Sequence, residues 1–180
     1  LDHQSDLSFR PSDVVADFRR QLLRELDLQQ EQRNLSRFIN NFAYDLEVKF
    51  PEPYPELSTS RVLTMDRLEG ITLSDHEALV AEEVDLPEFV RHGANVWIEM
   101  IFRDRFYHAD PHPGNLMLLP GGVAGILDSG MIGRIDQRML ADLEDLVIAY
   151  VSKDVAQIAD VAMRICDPPR GFNRQSFEAD

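Results

Sequence analysis

The sequence predicts an α+β fold, mostly helical, and three observations carry that reading. Apolar residues recur at helical spacing in long stretches near both ends, for example Val14, Val15, Phe18, Leu22 and Leu26, and later Leu140, Leu143, Leu146 and Val147. Residues 116–119 and 123–127 are short apolar runs separated by Pro120-Gly121-Gly122, the composition of a β-hairpin. The bulk composition, 44% hydrophobic and 28% charged over 180 residues, is that of a globular chain, long enough for one domain or one large lobe of a bigger domain.

Each element has a local reason. Pro11-Ser12-Asp13 suits a helix start, with Ser12 as cap and Asp13 at the positive end of the dipole. The apolar spacing that follows extends through Leu35, Phe38 and Ile39, which predicts one long amphipathic helix broken near Asn34. Residues 46–50 and 61–65 read as β, divided by Pro51-Glu52-Pro53-Tyr54-Pro55, a stiff connector. The β region is expected to end at Glu69-Gly70, and Ser74-Asp75-His76-Glu77 then reads as a capping box opening a short helix. A further helix is expected from Pro87 to Phe106, burying Phe89, Val90, Ala94, Trp97, Ile98, Ile101 and Phe102. A compact loop, the hairpin and two more helices, the first beginning near Asp136, complete the chain. Trp97 and the single cysteine, Cys166, are expected in or near the core.

The charge excludes several functions. A net charge of −14 argues against nucleic acid and against electrostatic docking on anionic lipid, both of which need a basic face. Cys166 alone supports neither a disulfide framework nor a cysteine-based zinc site. No apolar run reaches the ~18–20 residues of a spanning helix, and no signal-peptide pattern opens the chain. Of 18 basic side chains only Lys49 and Lys153 are lysines.

The chemistry concentrates in His108-Ala109-Asp110-Pro111-His112-Pro113-Gly114-Asn115 and in Asp128-Ser129-Gly130. Two prolines and a glycine stop the preceding helix and hold Asp110 and Asn115 on a stiff turn. The hairpin then returns Asp128 to the neighbourhood of Asn115. A carboxylate and an amide carbonyl form a hard oxygen site suited to Mg²⁺, while Asp110 is a second carboxylate able to accept a proton or orient a water. This is the layout of a protein-kinase-like site, H-x-D-x-x-x-x-N followed by D-x-G. It assigns Asp110 as base, His108 as the loop's hydrogen-bonding anchor, and Asn115 and Asp128 as metal ligands. A metallohydrolase cluster of His108, Asp110, His112 and Asp128 is disfavoured, since Pro111 and Pro113 flank His112 and none of His3, His76 or His92 completes a ligand set.

The eight-residue loop resembles the catalytic loop of the UbiB (AarF-domain) atypical kinase family. Glu25-Leu26-Asp27 resembles that family's E-x-D motif, Glu31 falls where its members carry the αC-type glutamate, and Met65-Asp66-Arg67-Leu68-Glu69-Gly70 resembles the segment linking the two lobes. The resemblance implies a kinase-like fold in which residues 1–70 are a partial N-lobe and residues 71–180 a helical C-lobe. It implies ATP and Mg²⁺ as cofactors, with Glu25, Asp27, Glu31, Met65 and Asp66 on the nucleotide side. It also implies a small-molecule or lipid-like substrate or effector, and a role in isoprenoid quinone synthesis. Protein partners from that synthesis, and a cytoplasmic location peripheral to the inner membrane, follow from the same resemblance. Taken without it, Glu25, Asp27 and Glu31 read as the solvated face of an acidic helix.

Two departures stand out. Ser129 occupies the position where the family usually has Phe, and neither Lys49 nor Lys153 can be the phosphate-binding lysine, since both follow Glu31. The chain opens at Leu1, so an N-terminally truncated fragment with weak activity of its own is expected. The short run from Asp128 to Asp136 leaves no long activation segment, which favours a small molecule or water as phosphoryl acceptor. An aminoglycoside- or choline-kinase-like phosphotransferase and a nucleotide-binding pseudokinase are the alternatives.

Overall fold

The computed structural model describes residue 15 and residues 27–82 and 85–166. The chain divides into two compact units, Leu1–Trp97 with His108–Ile132, and Ile98–Tyr107 with Gly133–Asp180.

The first unit is built on a four-stranded sheet in the order β1-β5-β4-β2: β1 is Val48–Lys49, β2 Ile71–Thr72, β4 Leu116–Leu119 and β5 Val123–Ile126. The expected hairpin supplies its centre, with Leu116 opposite Ile126 and Leu119 opposite Val123. Its turn is possible because Gly121 and Gly122 both take φ of 81°, the left-handed region that glycine enters without steric cost. β1 joins β5 in parallel, Val48 opposite Ala124. β2 joins β4 antiparallel, Ile71 opposite Leu118.

Helix α1 (Leu28–Asn41) lays Leu35 and Phe38, both fully buried, into this unit. The Phe38 ring stacks on Phe50 with centroids 5.4 Å apart and planes 5° from parallel, and Phe42 tilts against the same ring. The helix runs unbroken through Asn34, because that side chain is buried and bonded across the unit and does not turn back on its own backbone. The proposed start at Ser12, and Glu25, lie outside the described residues. Asp27 is the N-cap, accepting from the Gln29 N–H at 3.2 Å.

Elsewhere the expectations need adjustment. Residues 61–65 form no ladder strand; isolated bridges join Thr59 to Val62 and Pro53 to Met65. The proline-rich connector closes in a 3₁₀ turn, Pro55–Leu57. The β region continues past Gly70 into β2. Helix α2 (His76–Ala81) is capped by Asp75, which accepts from the Ala78 N–H at 3.1 Å, and not by Ser74, whose hydroxyl pairs with Thr72. Asp75 stands one residue closer to the helix and is an equally good cap. Helix α3 (Leu86–Ile98) ends earlier than its apolar pattern suggests, widening into a π turn at Glu99–Arg103. Phe106 therefore belongs to a strand, β3 (Phe106–His108).

In the second unit, Phe106 and Tyr107 of β3 and Gly133 and Arg134 of β6 (Ile132–Arg134) belong to a two-stranded sheet. The sequence reading missed both strands because each is only three residues long. Helices α4 (Gln137–Ser152) and α5 (Val155–Ile165) are capped by Asp136 and Asp154 and pack on one another. Arg164 bridges Asp142 at 2.8 Å and Asp145 at 2.7 Å. Cys166 is exposed, beyond the last helical turn, and not in the core. No helix among the described residues is long and apolar enough to cross a membrane.

Candidate functional site

The site lies within the first unit, where the loop after β3 meets the open end of the hairpin. His108 anchors it from below. The imidazole is 1% exposed, with Phe38 at 6.4 Å and Trp97 edge-on at 6.0 Å. Its Nε2 bonds the Asp128 carbonyl oxygen and its Nδ1 accepts from the Asp110 N–H at 3.2 Å. With Nε2 as donor and Nδ1 as acceptor the ring is neutral. Burial pushes its pKa below the usual histidine value, against the opposing pulls of the Asp128 hydrogen bond and of the Asp128 and Asp110 carboxylates. One buried ring thus ties together both halves of the motif, which are 18 residues apart at Asp110 and Asp128. The Trp97 indole donates to the His108 carbonyl at 3.1 Å, and Ala109 N–H to Met131 at 3.0 Å, closing the loop on both sides.

Asp110 and Asn115 face one another. The Asn115 amide nitrogen donates to the Asp110 carboxylate at 3.2 Å. That bond orients the amide so that its carbonyl oxygen is the group left for a ligand. The prolines act as expected: Pro113–Asn115 is a 3₁₀ turn, with exposed His112 as its cap accepting from the Gly114 N–H at 3.0 Å. Asn115 is then joined to the far strand by Leu127 N–H to its carbonyl at 2.9 Å, one residue before Asp128. Asp128 is exposed, with Oδ1 accepting from Gly130 N–H at 2.7 Å.

Glu31 comes to the same place from α1. Burial raises its pKa above the ordinary carboxyl value and the Asp128 charge raises it further, while a hydrogen bond with the Ser129 backbone acts in the opposite direction. One turn along, buried Asn34 donates to the Ser129 carbonyl at 2.9 Å. The sequence reading missed Asn34, although an asparagine within the stripe Leu35 and Phe38 define is itself a signal of a buried polar partner. Ser129 is fully buried, and its hydroxyl has no hydrogen-bond partner among the described residues. Asp27 is engaged locally, by its cap and by Arg33 at 3.7 Å.

The segment from Met65 to Gly70 borders a cleft of about 500 Å³ whose other walls are Thr72, Met117 and Leu127. Asp66 is held by Tyr54, whose hydroxyl donates at 2.6 Å, and its backbone N–H donates to Glu52 at 2.9 Å. Gly70 fits against β4 only because it lacks a side chain: a Cβ there would stand 2.4 Å from the Leu118 carbonyl oxygen. Met65, Leu68, Met117 and Leu127 give the cleft apolar walls, and Leu127 immediately precedes Asp128 in the chain.

Comparison with known proteins gives a consistent picture. Residues 3–162 match the ABC1 atypical kinase-like domain. The chain is 33% identical over 173 residues to the probable protein kinase UbiB of Actinobacillus pleuropneumoniae serotype 7, covering 94% of this chain and 32% of that protein. The probable protein kinase UbiB of Vibrio campbellii is 31% identical over 173 residues, again with 94% and 32% covered. The chain therefore spans about a third of the length of the curated relatives it matches. Among solved structures, the Rv3197–erythromycin complex from Mycobacterium tuberculosis superposes with a TM-score of 0.71 at 21% identity, over 94% of this chain and 43% of that one, a likeness of fold. With the buried histidine, the Asp–Asn pair and the returning aspartate already in place, the match over residues 3–162 leaves no doubt of kinship: the chain belongs to the ABC1 atypical kinase-like family, alongside the UbiB proteins.

Proposed function

We propose that this chain carries the Mg²⁺- and ATP-dependent catalytic centre of a UbiB-type atypical kinase or ATPase, acting in or regulating isoprenoid quinone biosynthesis. The observation that carries the reading is the convergence of Asp110, Asn115, Asp128 and Glu31 on the hairpin end, braced by buried His108.

The donor set fits magnesium. Asn115 gives its amide nitrogen to Asp110, leaving a carbonyl oxygen, and Asp128 gives one oxygen to Gly130 N–H, leaving the other. Both are hard oxygens, which is what Mg²⁺ selects. Bound there with nucleotide, the ion would neutralise phosphate charge. The chain's own residues do the rest: Asp110 accepts the proton of the attacking hydroxyl or water, His108 holds the loop without titrating, and the segment around Met65 and Asp66 cradles the nucleotide base. Glu31 and Asp27 order the start of α1 beside the nucleotide, with Glu25 preceding them in the motif. In this reading residues 1–70 are the N-lobe portion and residues 71–180 the C-lobe.

Only seven residues separate Asp128 from the Asp136 cap of α4, and three of them form β6. So short a run offers no platform for an extended peptide, which favours a small acceptor, lipid-like or otherwise, or water. Attachment at the inner membrane rests on the UbiB resemblance alone.

The deciding experiment measures Mg²⁺-dependent ATP turnover by the full-length protein and by Asp128→Asn and Asp110→Asn. Each substitution is expected to lower turnover by about 10²-fold or more, on the scale at which positioned acid–base and electrostatic groups act. Turnover unchanged in Asp128→Asn would sink the assignment. Retained nucleotide binding without any turnover in the parent protein would favour the pseudokinase reading.

A further inference from the structure

On another face of the first unit, His92 of α3 meets the connector between α1 and β1. Its Nδ1 lies 3.1 Å from Glu47 Oε2 and its Nε2 3.6 Å from Asp45 Oδ2. The second separation is too long for a hydrogen bond. Nε2 is nonetheless withdrawn from solvent and has no hydrogen-bond partner among the described residues, and the side chain as a whole is only 17% exposed. A buried ring nitrogen aimed at a carboxylate it does not bond calls for an explanation.

The carboxylates are arranged for a third body. Asp45 Oδ1 is committed to the Glu47 N–H at 2.9 Å, which turns Oδ2 toward His92. The Glu47 carbonyl accepts from Ala124 N–H at 2.7 Å, pinning the connector to the sheet. One donor atom from each of Asp45, Glu47 and His92 can be chosen so that all lie within 4.8 Å of one another. Ligands on a tetrahedral zinc ion, at bond lengths near 2.1 Å, stand about 3.4 Å apart. The Asp45–His92 separation is already close to that, and the Glu47 side chain, 72% exposed, has room to turn in. The cleft of about 490 Å³ beside them is also lined by Glu82, Asp85 and Glu88, a field that favours a cation; Arg91, which also lines it, is paired with Glu88 at 3.1 Å.

We propose that Asp45, Glu47 and His92 form a divalent-metal site of the zinc class, separate from the Mg²⁺–nucleotide centre. One imidazole nitrogen with two carboxylate oxygens, leaving a position for water, is a zinc-type set, whereas magnesium prefers oxygen alone. The ion staples the connector that follows α1 to α3, the helix whose Trp97 holds the His108 loop.

The test uses Co²⁺ as a spectroscopic stand-in for zinc, added to chelator-treated full-length protein. The expected result is a single equivalent of tightly held Co²⁺ with the intense visible absorption of a tetrahedral site, displaced by Zn²⁺ but not by excess Mg²⁺. Uptake should be unchanged in Asp128→Asn and weakened at least about 100-fold in His92→Ala and Asp45→Asn, given that even outer-shell partners are worth 10–100-fold. Should His92→Ala fail to fold, Glu47→Gln, at an exposed carboxylate, makes the same comparison. Absorption of the hydrated ion only, or uptake equal in the parent and Glu47→Gln proteins, overturns the proposal and leaves His92 as a ring packed between two carboxylates.

Discussion

Glu31 is a carboxylate whose placement beside Asp128 costs the fold at neutral pH. Its carboxyl is half-buried beside Asp128, so its pKa in the native chain exceeds that in the unfolded chain. A raised carboxyl pKa means that the native state binds the proton more tightly, so the contribution to stability is present below the unfolded value of 4.5 and is lost as pH rises through the native one. Glu31→Gln keeps an acceptor for the Ser129 backbone and removes the charge. It is expected to raise unfolding stability at pH 7 by about 0.5–2 kcal/mol, the usual range for relieving a functional compromise, with the gain shrinking toward pH 4.5. Urea unfolding across that pH range checks the sign, and a gain independent of pH would contradict the electrostatic origin. His108 is the opposite case. The spacing identified it as an anchor, and its burial between Phe38 and Trp97 explains why it stays neutral and bonds at both nitrogens.

At the scale of elements, the hairpin is the unit that assembles the site. Its register places Leu116 opposite Ile126, and the next pair outward brings Asn115 to Leu127 and so to Asp128. This was legible in sequence, since two apolar runs around Pro-Gly-Gly admit few alternatives. Strand β2 was not, because two residues carry no periodicity. Its pairing with β4 depends on Gly70, where backbone approaches backbone. Gly70→Ala is expected to destabilise by about 1–3 kcal/mol, as overpacking does, since the Cβ would meet the Leu118 carbonyl at 2.4 Å and a Leu119 methyl at 2.8 Å. A denaturant midpoint equal to that of the parent would show that β2 can shift without cost.

For the molecule as a whole, the proposed Mg²⁺–nucleotide centre would couple to folding. A ligand that binds only the native state stabilises it by about 2.7 kcal/mol at 100 times its Kd. Mg²⁺ with ATP is therefore expected to raise Tm by several degrees, Mg²⁺ alone by less, and neither in Asp128→Asn. Differential scanning fluorimetry reads this directly, and an equal shift in the variant would place the nucleotide elsewhere. The sequence by itself determined the α+β class, the catalytic-loop spacing, the hairpin and the excess of acid over base, because turn sterics, capping and apolar periodicity act over a few neighbouring residues. Only the tertiary structure decided that Asn34 holds Ser129 and that His92 meets Asp45 and Glu47. Those outcomes depend on which groups lose water together when distant segments pack, and a polar side chain selects its partner only once burial has removed the solvent alternative.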